Sequence, residues 1–338
     1  MTDTQRLGRH RHASPEGVRQ PARRKKKLAA TITIVCTLAA IGVTLGALSG
    51  WRFGLETPAK PHNNDNLPAT PSSYLGLYVH SAPSSYSAVR GFAAATGVKP
   101  GVVVYYSGWS EAFQTGFATT VARNGGVPMV QLDPSHISLA AIAAGQYDGY
   151  LQTYAKAVRA YRRPVILSFG HEMNGYWYTW GNTHTSPADF VDAWRHIVTL
   201  FRAERAENVT WLWTINNIQS QNNVPAPRPW WPGSNFVTWV GIDGYYVNPS
   251  SEFASVFGPT IAYVRALTRK PIFIAETSAA PTTDQPAKIN DLFAGVHLYG
   301  VLGFVWFDSV DVIDWRLTSS AAIAAFHREA RTYHRTAS

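Results

Sequence analysis

Two glutamates each follow an apolar run of the kind that forms a buried strand. Glu172 comes three residues after Val165-Ile166-Leu167-Ser168-Phe169, within His171-Glu172-Met173-Asn174-Gly175, and Tyr176-Trp177-Tyr178-Thr179-Trp180-Gly181 follows at once. Glu276 ends Ile272-Phe273-Ile274-Ala275. Charge beside flat aromatic surface suits a sugar ring, which offers hydroxyls at its edge and C–H groups on its face. Two carboxyl groups brought to one place are the minimum equipment of a glycosidase. Their separation is about 5–5.5 Å in retaining enzymes and about 6.5–9.5 Å in inverting ones. Residue spacing leaves that gap open.

Other residues at strand ends complete the set. His171 is placed to orient a carboxylate or a sugar hydroxyl. Asn216 ends a fifth apolar run and can bond a sugar hydroxyl. Asp243-Gly244-Tyr245 ends a sixth, where the Tyr245 phenol can donate to a carboxylate and Asp243 can accept. Trp306, at the end of the eighth, is the expected floor for a sugar ring, and Trp177, Trp180, Trp230 and Trp231 are expected as exposed aromatics on loops at the same mouth. Trp194 and at least one of Trp211 and Trp213 read as core. Asp308, Asp311 and Asp314 read as loop acids. A zinc site on a helix would need a second histidine four residues after His171, where Gly175 stands. Neither a metal nor a cofactor is expected.

The elements that must position these groups alternate regularly. Strand-like runs cover Leu75–Val79, Val102–Tyr106, Val127–Leu132, Val165–Phe169, Val209–Thr214, Val237–Ile242, Pro271–Ala275 and Val301–Trp306. Near-continuous apolar strands are what a parallel sheet buried on both faces requires. Helical patterns lie between and after them: Ser84–Ala95, Glu111–Arg123, Tyr147–Tyr161, Pro187–Arg205, Phe253–Leu267, Gln285–Leu298 and Ala321–Arg331. The stretch between the fifth and sixth strands, rich in Pro and Asn, reads as a long loop. The pattern predicts an α/β fold, a (β/α)8 TIM barrel over residues 74–336, with both glutamates at the C-terminal mouth where such barrels do their chemistry. A doubly wound sheet would want a Gly-rich phosphate turn after an early strand, and none is present.

The 338-residue chain carries a formal charge of +9, and the excess is local. Residues 1–27 hold nine basic and two acidic side chains and read as a cytoplasmic tail. The region from residue 74 onward is close to neutral, which argues against a nucleic-acid-binding surface. Residues 28–51 are 24 residues without a charge, following Arg23-Arg24-Lys25-Lys26-Lys27. That pattern predicts a single transmembrane anchor, or alternatively a cleaved signal peptide, and either would export the rest. Residues 52–73, with four prolines, read as a linker. The one cysteine, Cys36, lies in the apolar run, so no disulfide is expected in the exported part.

Taken together, the motifs resemble glycoside hydrolase family 26, a family of retaining barrels best known for β-mannanases. The residues carrying the resemblance are His171-Glu-Met-Asn-Gly-x-Trp-x-x-Trp-Gly181, Trp211-x-Trp-x-x-Asn216, Val240-Gly-Ile-Asp-Gly-Tyr245, Ala275-Glu-Thr277 and Trp306-Phe-Asp308. The resemblance implies Glu172 as acid/base and Glu276 as nucleophile. It implies His171 and Tyr245 around the nucleophile and the sugar, Trp306 as sugar platform, and Trp177 as an aromatic at the mouth. Some members have Arg where Ser168 stands, and often Pro at the position of Ile215. The implied activity is retaining endo-β-glycoside hydrolysis of an extracellular polysaccharide, with β-1,4-mannan as the default substrate. The alternatives are β-1,3/1,4-glucan, β-1,3-xylan, transglycosylation on cell-envelope glycan, or a non-catalytic glycan-binding module.

Overall fold

The computed structural model describes residues 67–218 and 224–336. The basic tail, the apolar run 28–51 and most of the expected linker lie outside the described residues. Among the described residues, no helix is long and apolar enough to cross a membrane.

The eight strands are β1 (Tyr74–Tyr78), β2 (Val102–Gly108), β3 (Val127–Asp133), β4 (Val165–Phe169), β5 (Val209–Asn216), β6 (Trp239–Asp243), β7 (Ile272–Thr277) and β8 (Gly303–Phe307). Every neighbouring pair is parallel, and β1 closes on β8. The helices are α1 (Ser87–Thr96), α2 (Thr115–Arg123), α3 (Leu139–Ala143), α4 (Asp148–Tyr161), α5 (Pro187–Ala203), α6 (Phe253–Val256), α7 (Gly258–Leu267), α8 (Gln285–Leu298) and α9 (Ser320–Thr336). This is the expected (β/α)8 barrel.

Side chains along each strand alternate between two cores, as a period of two requires. One set points outward to the helices, including Leu77, Tyr105, Leu167, Trp213, Ile274 and Trp306. The other fills the lumen: Tyr74, Val102, Met129, Ile166, Leu212, Trp239, Phe273 and Val305. Each large apolar side chain fully buried this way contributes about 1.5–3 kcal/mol. Higher in the lumen the residues turn polar. Ser168 of β4 donates to Thr214 Oγ1 of β5 at 3.0 Å. A packed apolar base thus carries a polar layer, and the site sits on that.

Three local details depart from the sequence reading. The single helix expected over 253–267 is two, with Phe257 between them at φ −112°. Pro259 accounts for the break, because it has no N–H to bond the Ser255 carbonyl four residues back and its ring crowds that carbonyl. The short α3 was not expected; its Ser138 cap accepts from Ala141 N at 3.2 Å. The expected linker is also too long at its C-terminal end. Leu67 is 7% exposed and belongs to the lumen cluster, and the Tyr74 hydroxyl donates to Pro68 O at 2.6 Å. By contrast, α5 starts as expected, with the Ser186 hydroxyl accepting from Asp189 N at 3.1 Å and Pro187 at its first position.

Candidate active site

Glu172 leaves β4 on a strained turn. Gly170 has φ +54°, which glycine adopts freely, but Glu172 itself has φ +53°. A left-handed non-glycine residue costs about 1–3 kcal/mol and persists only where its surroundings over-determine it. Here they do. Glu172 N donates to Thr214 O at 3.0 Å, and Gly175 N donates to Glu172 O at 2.7 Å. Asn174 ties the same turn to the end of β5 through a reciprocal pair. Its Nδ2 donates to Asn216 O, and Asn216 N donates to its Oδ1, both at 2.9 Å. The Glu172 carboxyl is then held at both oxygens, by Trp177 Nε1 at 2.8 Å on Oε2 and by Asn216 Nδ2 on Oε1.

Glu276 reaches the lumen by a different device. Phe273 and Ala275 face inward, so strict alternation would turn Glu276 outward. A register shift intervenes: Ile242 pairs with Ile274, but Asp243 pairs with Glu276. The extra residue is a bulge, which re-aims the side chain that follows. Two phenols then divide the carboxylate. Tyr245 donates to Oε2 at 2.8 Å, and Tyr106, from β2, donates to Oε1.

Beside both carboxyls sits His171, 1% exposed. Its Nδ1 is 2.9 Å from Asp133 Oδ1 and its Nε2 is 3.1 Å from the Tyr178 hydroxyl. Burial alone would lower the imidazole pKa, but the Asp133 carboxylate outweighs it, helped by Glu276 and Glu172, and the value is pushed up to about 9. The ring is therefore a cation at neutral pH. Trp180 supports it from behind, donating to His171 O at 2.8 Å and stacking on Tyr178 with centroids 4.4 Å apart.

The Glu172 carboxyl is pushed up to about 7. Burial is the first cause and Glu276 the second, opposed by His171 and the two hydrogen-bond donors. That places it where a general acid works at neutral pH. Asp243 is fully buried beneath the glutamates. Burial, then Glu276 and Glu172, raise its carboxyl pKa well above the usual range. Among the described residues no cluster of metal-ligating side chains is present.

The structure brings Glu172, Glu276, His171, Trp177, Asn216, Asp243 and Tyr245 together and relocates others. Trp306 is not a sugar platform. It points outward, is 1% exposed and packs edge-on against Phe326 of α9 at 5.6 Å. The alternation gives the mouth to the next residue, Phe307, which lies 4.7 Å from Tyr78 and 6.0 Å from Tyr245. Trp315, from the loop after β8, flanks Tyr245 at 4.7 Å. Trp180 and Trp230, expected to be exposed, are buried, while Trp177 and Trp231 are partly so. Of the three loop acids, Asp314 pairs with Arg316, and Asp308 Oδ1 accepts from Leu317 N at 2.7 Å. Sequence reasoning missed Tyr106, Asp133, Asn174 and Tyr178. Tyr106 and Asp133 carried the same signal as the glutamates, a polar group where an apolar strand ends.

With this geometry in place, likeness to known proteins is informative. Residues 149–294 match Glycosyl hydrolase family 26. The chain is 30% identical over 272 residues to Endoglucanase H of Acetivibrio thermocellus, covering 76% of this chain and 30% of that protein. It is 28% identical over 141 residues to Beta-1,3-xylanase TXYA of a Vibrio species, covering 40% of this chain and 28% of that one. The chain thus spans less than a third of the length of these two curated relatives. Among solved structures, the fold resembles the Bacillus subtilis mannanase man26 with a TM-score of 0.57 at 17% identity, over 76% of this chain and 85% of that one. It resembles the Cellulomonas fimi endo-beta-1,4-mannanase double mutant with a TM-score of 0.60 at 15% identity, over 79% and 72%. The sequence motifs, the closed barrel and the family match agree, and this chain belongs to glycosyl hydrolase family 26.

Proposed function

We propose that the barrel is a retaining endo-β-glycoside hydrolase acting on an extracellular polysaccharide. One observation carries the reading: two buried carboxyl groups share one mouth, each held by its own pair of hydrogen-bond donors. Glu172 is buried beside an indole and an amide with its pKa raised to about 7, while Glu276 is held by two phenols. In the first step Glu172 gives its proton to the glycosidic oxygen as Glu276 attacks the anomeric carbon. The C–O bond to the leaving sugar breaks and a glycosyl ester forms. In the second step Glu172, now a carboxylate, takes a proton from water. That water attacks the anomeric carbon and Glu276 departs. The phenols of Tyr106 and Tyr245 fix which lone pairs of Glu276 face the sugar.

For substrate, β-1,4-mannan leads, on the mannanases among the structural neighbours. A mixed-linkage β-glucan is the second reading, favoured by the similarity to a protein named endoglucanase, which extends over 76% of this chain. The uncharged run 28–51 supports an anchored, outward-facing enzyme, with cleaved export as the alternative.

Assaying the piece from Leu67 onward against mannan, mixed-linkage glucan, xylan and native wall glycan tests the activity and substrate. Glu172→Ala and Glu276→Ala should each cut turnover by about 10²–10⁴-fold or more. Substantial activity in either pure variant would sink the assignment. NMR of an early digest should show the retained anomer first, and an inverted product rules out the ester.

A further inference from the structure

The two ends of the barrel carry opposite charge. Loops that lead from strands into helices, at the mouth, hold Glu111, Glu252, Asp284, Asp308 and Asp311 besides the two site glutamates, against Arg228. Asp314 and Arg316 cancel there as a pair. Loops that lead from helices into strands, at the base, hold Lys99, Arg162, Arg163, Arg205, Arg269 and Lys270, against Glu204 and Glu207. Four helices add an arginine in the last turn: Arg123, Arg159, Arg202 and Arg265. Last-turn cations complement the helix dipole, which accounts for those four. The loop cations have no such reason, and the base of such a barrel does no chemistry.

The cations converge where α7 hands over to β7. A cleft of about 340 Å³ opens there, lined by Arg265, Thr268, Arg269, Lys270, Pro271 and Gly300. Arg265 and Arg269 are exposed. Residues 232–242, 258–275 and 292–307, which lead into and form most of β6, β7 and β8, include no Asp or Glu. The walls are tied together: the Arg265 guanidinium donates to Tyr299 O, and Leu302 N donates to Ile272 O at 2.8 Å. Leu298, the last residue of α8, is 81% exposed on the segment that runs into Tyr299 and Gly300. A lone exposed leucine is ordinary. A leucine beside a cluster of cations is the pairing found where proteins rest on lipid. We infer that this cleft docks the base of the barrel on an anionic phospholipid surface, with Arg265, Arg269 and Lys270 on the phosphodiester headgroups and Leu298 dipping beneath them. A soluble polyanion would use the cations but leave the leucine in water. The path of the chain agrees. Ser72 N donates to Val301 O and Ser73 N to Leu302 O, both at 2.9 Å, so the chain coming from the uncharged run 28–51 enters the barrel next to the cleft. The same surface repels the acidic mouth, which then faces away from it.

Docking of the base does not depend on hydrolysis at the mouth. The piece from Leu67 onward contains all eight strands and both cores, so the barrel closes without the apolar run, and its binding reports on the base alone. Flotation measures its partition onto vesicles of phosphatidylglycerol with phosphatidylcholine, and onto phosphatidylcholine alone. The piece should float with the anionic vesicles only, and less as salt is raised. Arg269→Gln with Lys270→Gln should lower the partition coefficient by about 25-fold, at roughly fivefold per cation. Arg265 is kept, because its bond to Tyr299 O ties the cleft walls. Leu298→Ser should lower partition by about tenfold. Melting temperatures of the variants should match the wild type. Arg162→Gln with Arg163→Gln removes the same charge before β4, across the barrel from β8, and should cost far less. An equal loss in that variant would make attraction a property of the whole base and overturn the cleft. Failure to float with anionic vesicles overturns the docking itself. Equal affinity for a soluble glycerol-phosphate polymer, unchanged in Leu298→Ser, would assign the cations to a wall polyanion and overturn the lipid surface.

Discussion

Glu172 bears two costs at once: a left-handed backbone and a buried carboxyl group. Both favour function over stability. With its pKa pushed up to about 7, the proton is present on the acid side of neutrality and lost above it. The alkaline limb of kcat/KM should therefore bend near pH 7 and fall about tenfold per unit beyond it. A limb that bends only above pH 9 would point instead to the His171 imidazolium. The same shift has a stability consequence with a definite sign. Between the ordinary value of 4.5 and about 7, the folded chain holds a proton that the unfolded chain has released. Stability then falls as pH rises through that window. Glu172→Gln should remove this loss, so its melting temperature should gain on the wild type from pH 4 to pH 8. Each kcal/mol of relief is worth about 2–4 °C. Parallel melting curves for the two proteins would contradict the buried-acid reading.

At the scale of elements, one residue of register decides which groups meet the sugar. β8 turns Trp306 to the helices and Phe307 to the mouth. Trp306→Ala should cost about 3–5 kcal/mol of stability and leave KM of the surviving fold unchanged. Phe307→Ala should raise KM with a smaller loss of stability. Denaturant melts with steady-state kinetics check both, and the reverse pattern would restore Trp306 as a sugar platform. This pair also shows where the sequence was legible. Apolar runs gave all eight strands, because a sheet buried on both faces must be apolar on both. For the same reason they concealed the facing of each residue: with no polar alternation, inward and outward positions look alike. Glu276 stands at a lumen-facing position only because of the bulge at the end of β7, and a bulge leaves no mark in hydrophobic periodicity. Tyr106 and Asp133 were visible as strand-end polar residues. Their roles were not, since each depends on a partner far away in sequence, Glu276 and His171.

At the scale of the molecule, the barrel begins before its first strand. Leu67 closes the lumen cluster from below, so a chain starting at Leu67 should melt higher than one starting at Tyr74. The side chain alone is worth about 1.5–3 kcal/mol. Equal melting temperatures would show that the segment merely rests on the surface. The placement also has a mechanical side. Hold the chain by its N-terminal end while a polymer grips the mouth, and tension runs lengthwise along β1. That strand pairs with β8 from Tyr74–Gly303 to Tyr78–Phe307 and with β2 from Gly76–Val102 to Tyr78–Val104. These bonds lie across the pull, so they must shear together and cannot peel one at a time. The barrel should therefore resist a pull applied between its N-terminal end and its mouth more strongly than one that peels a strand from its edge.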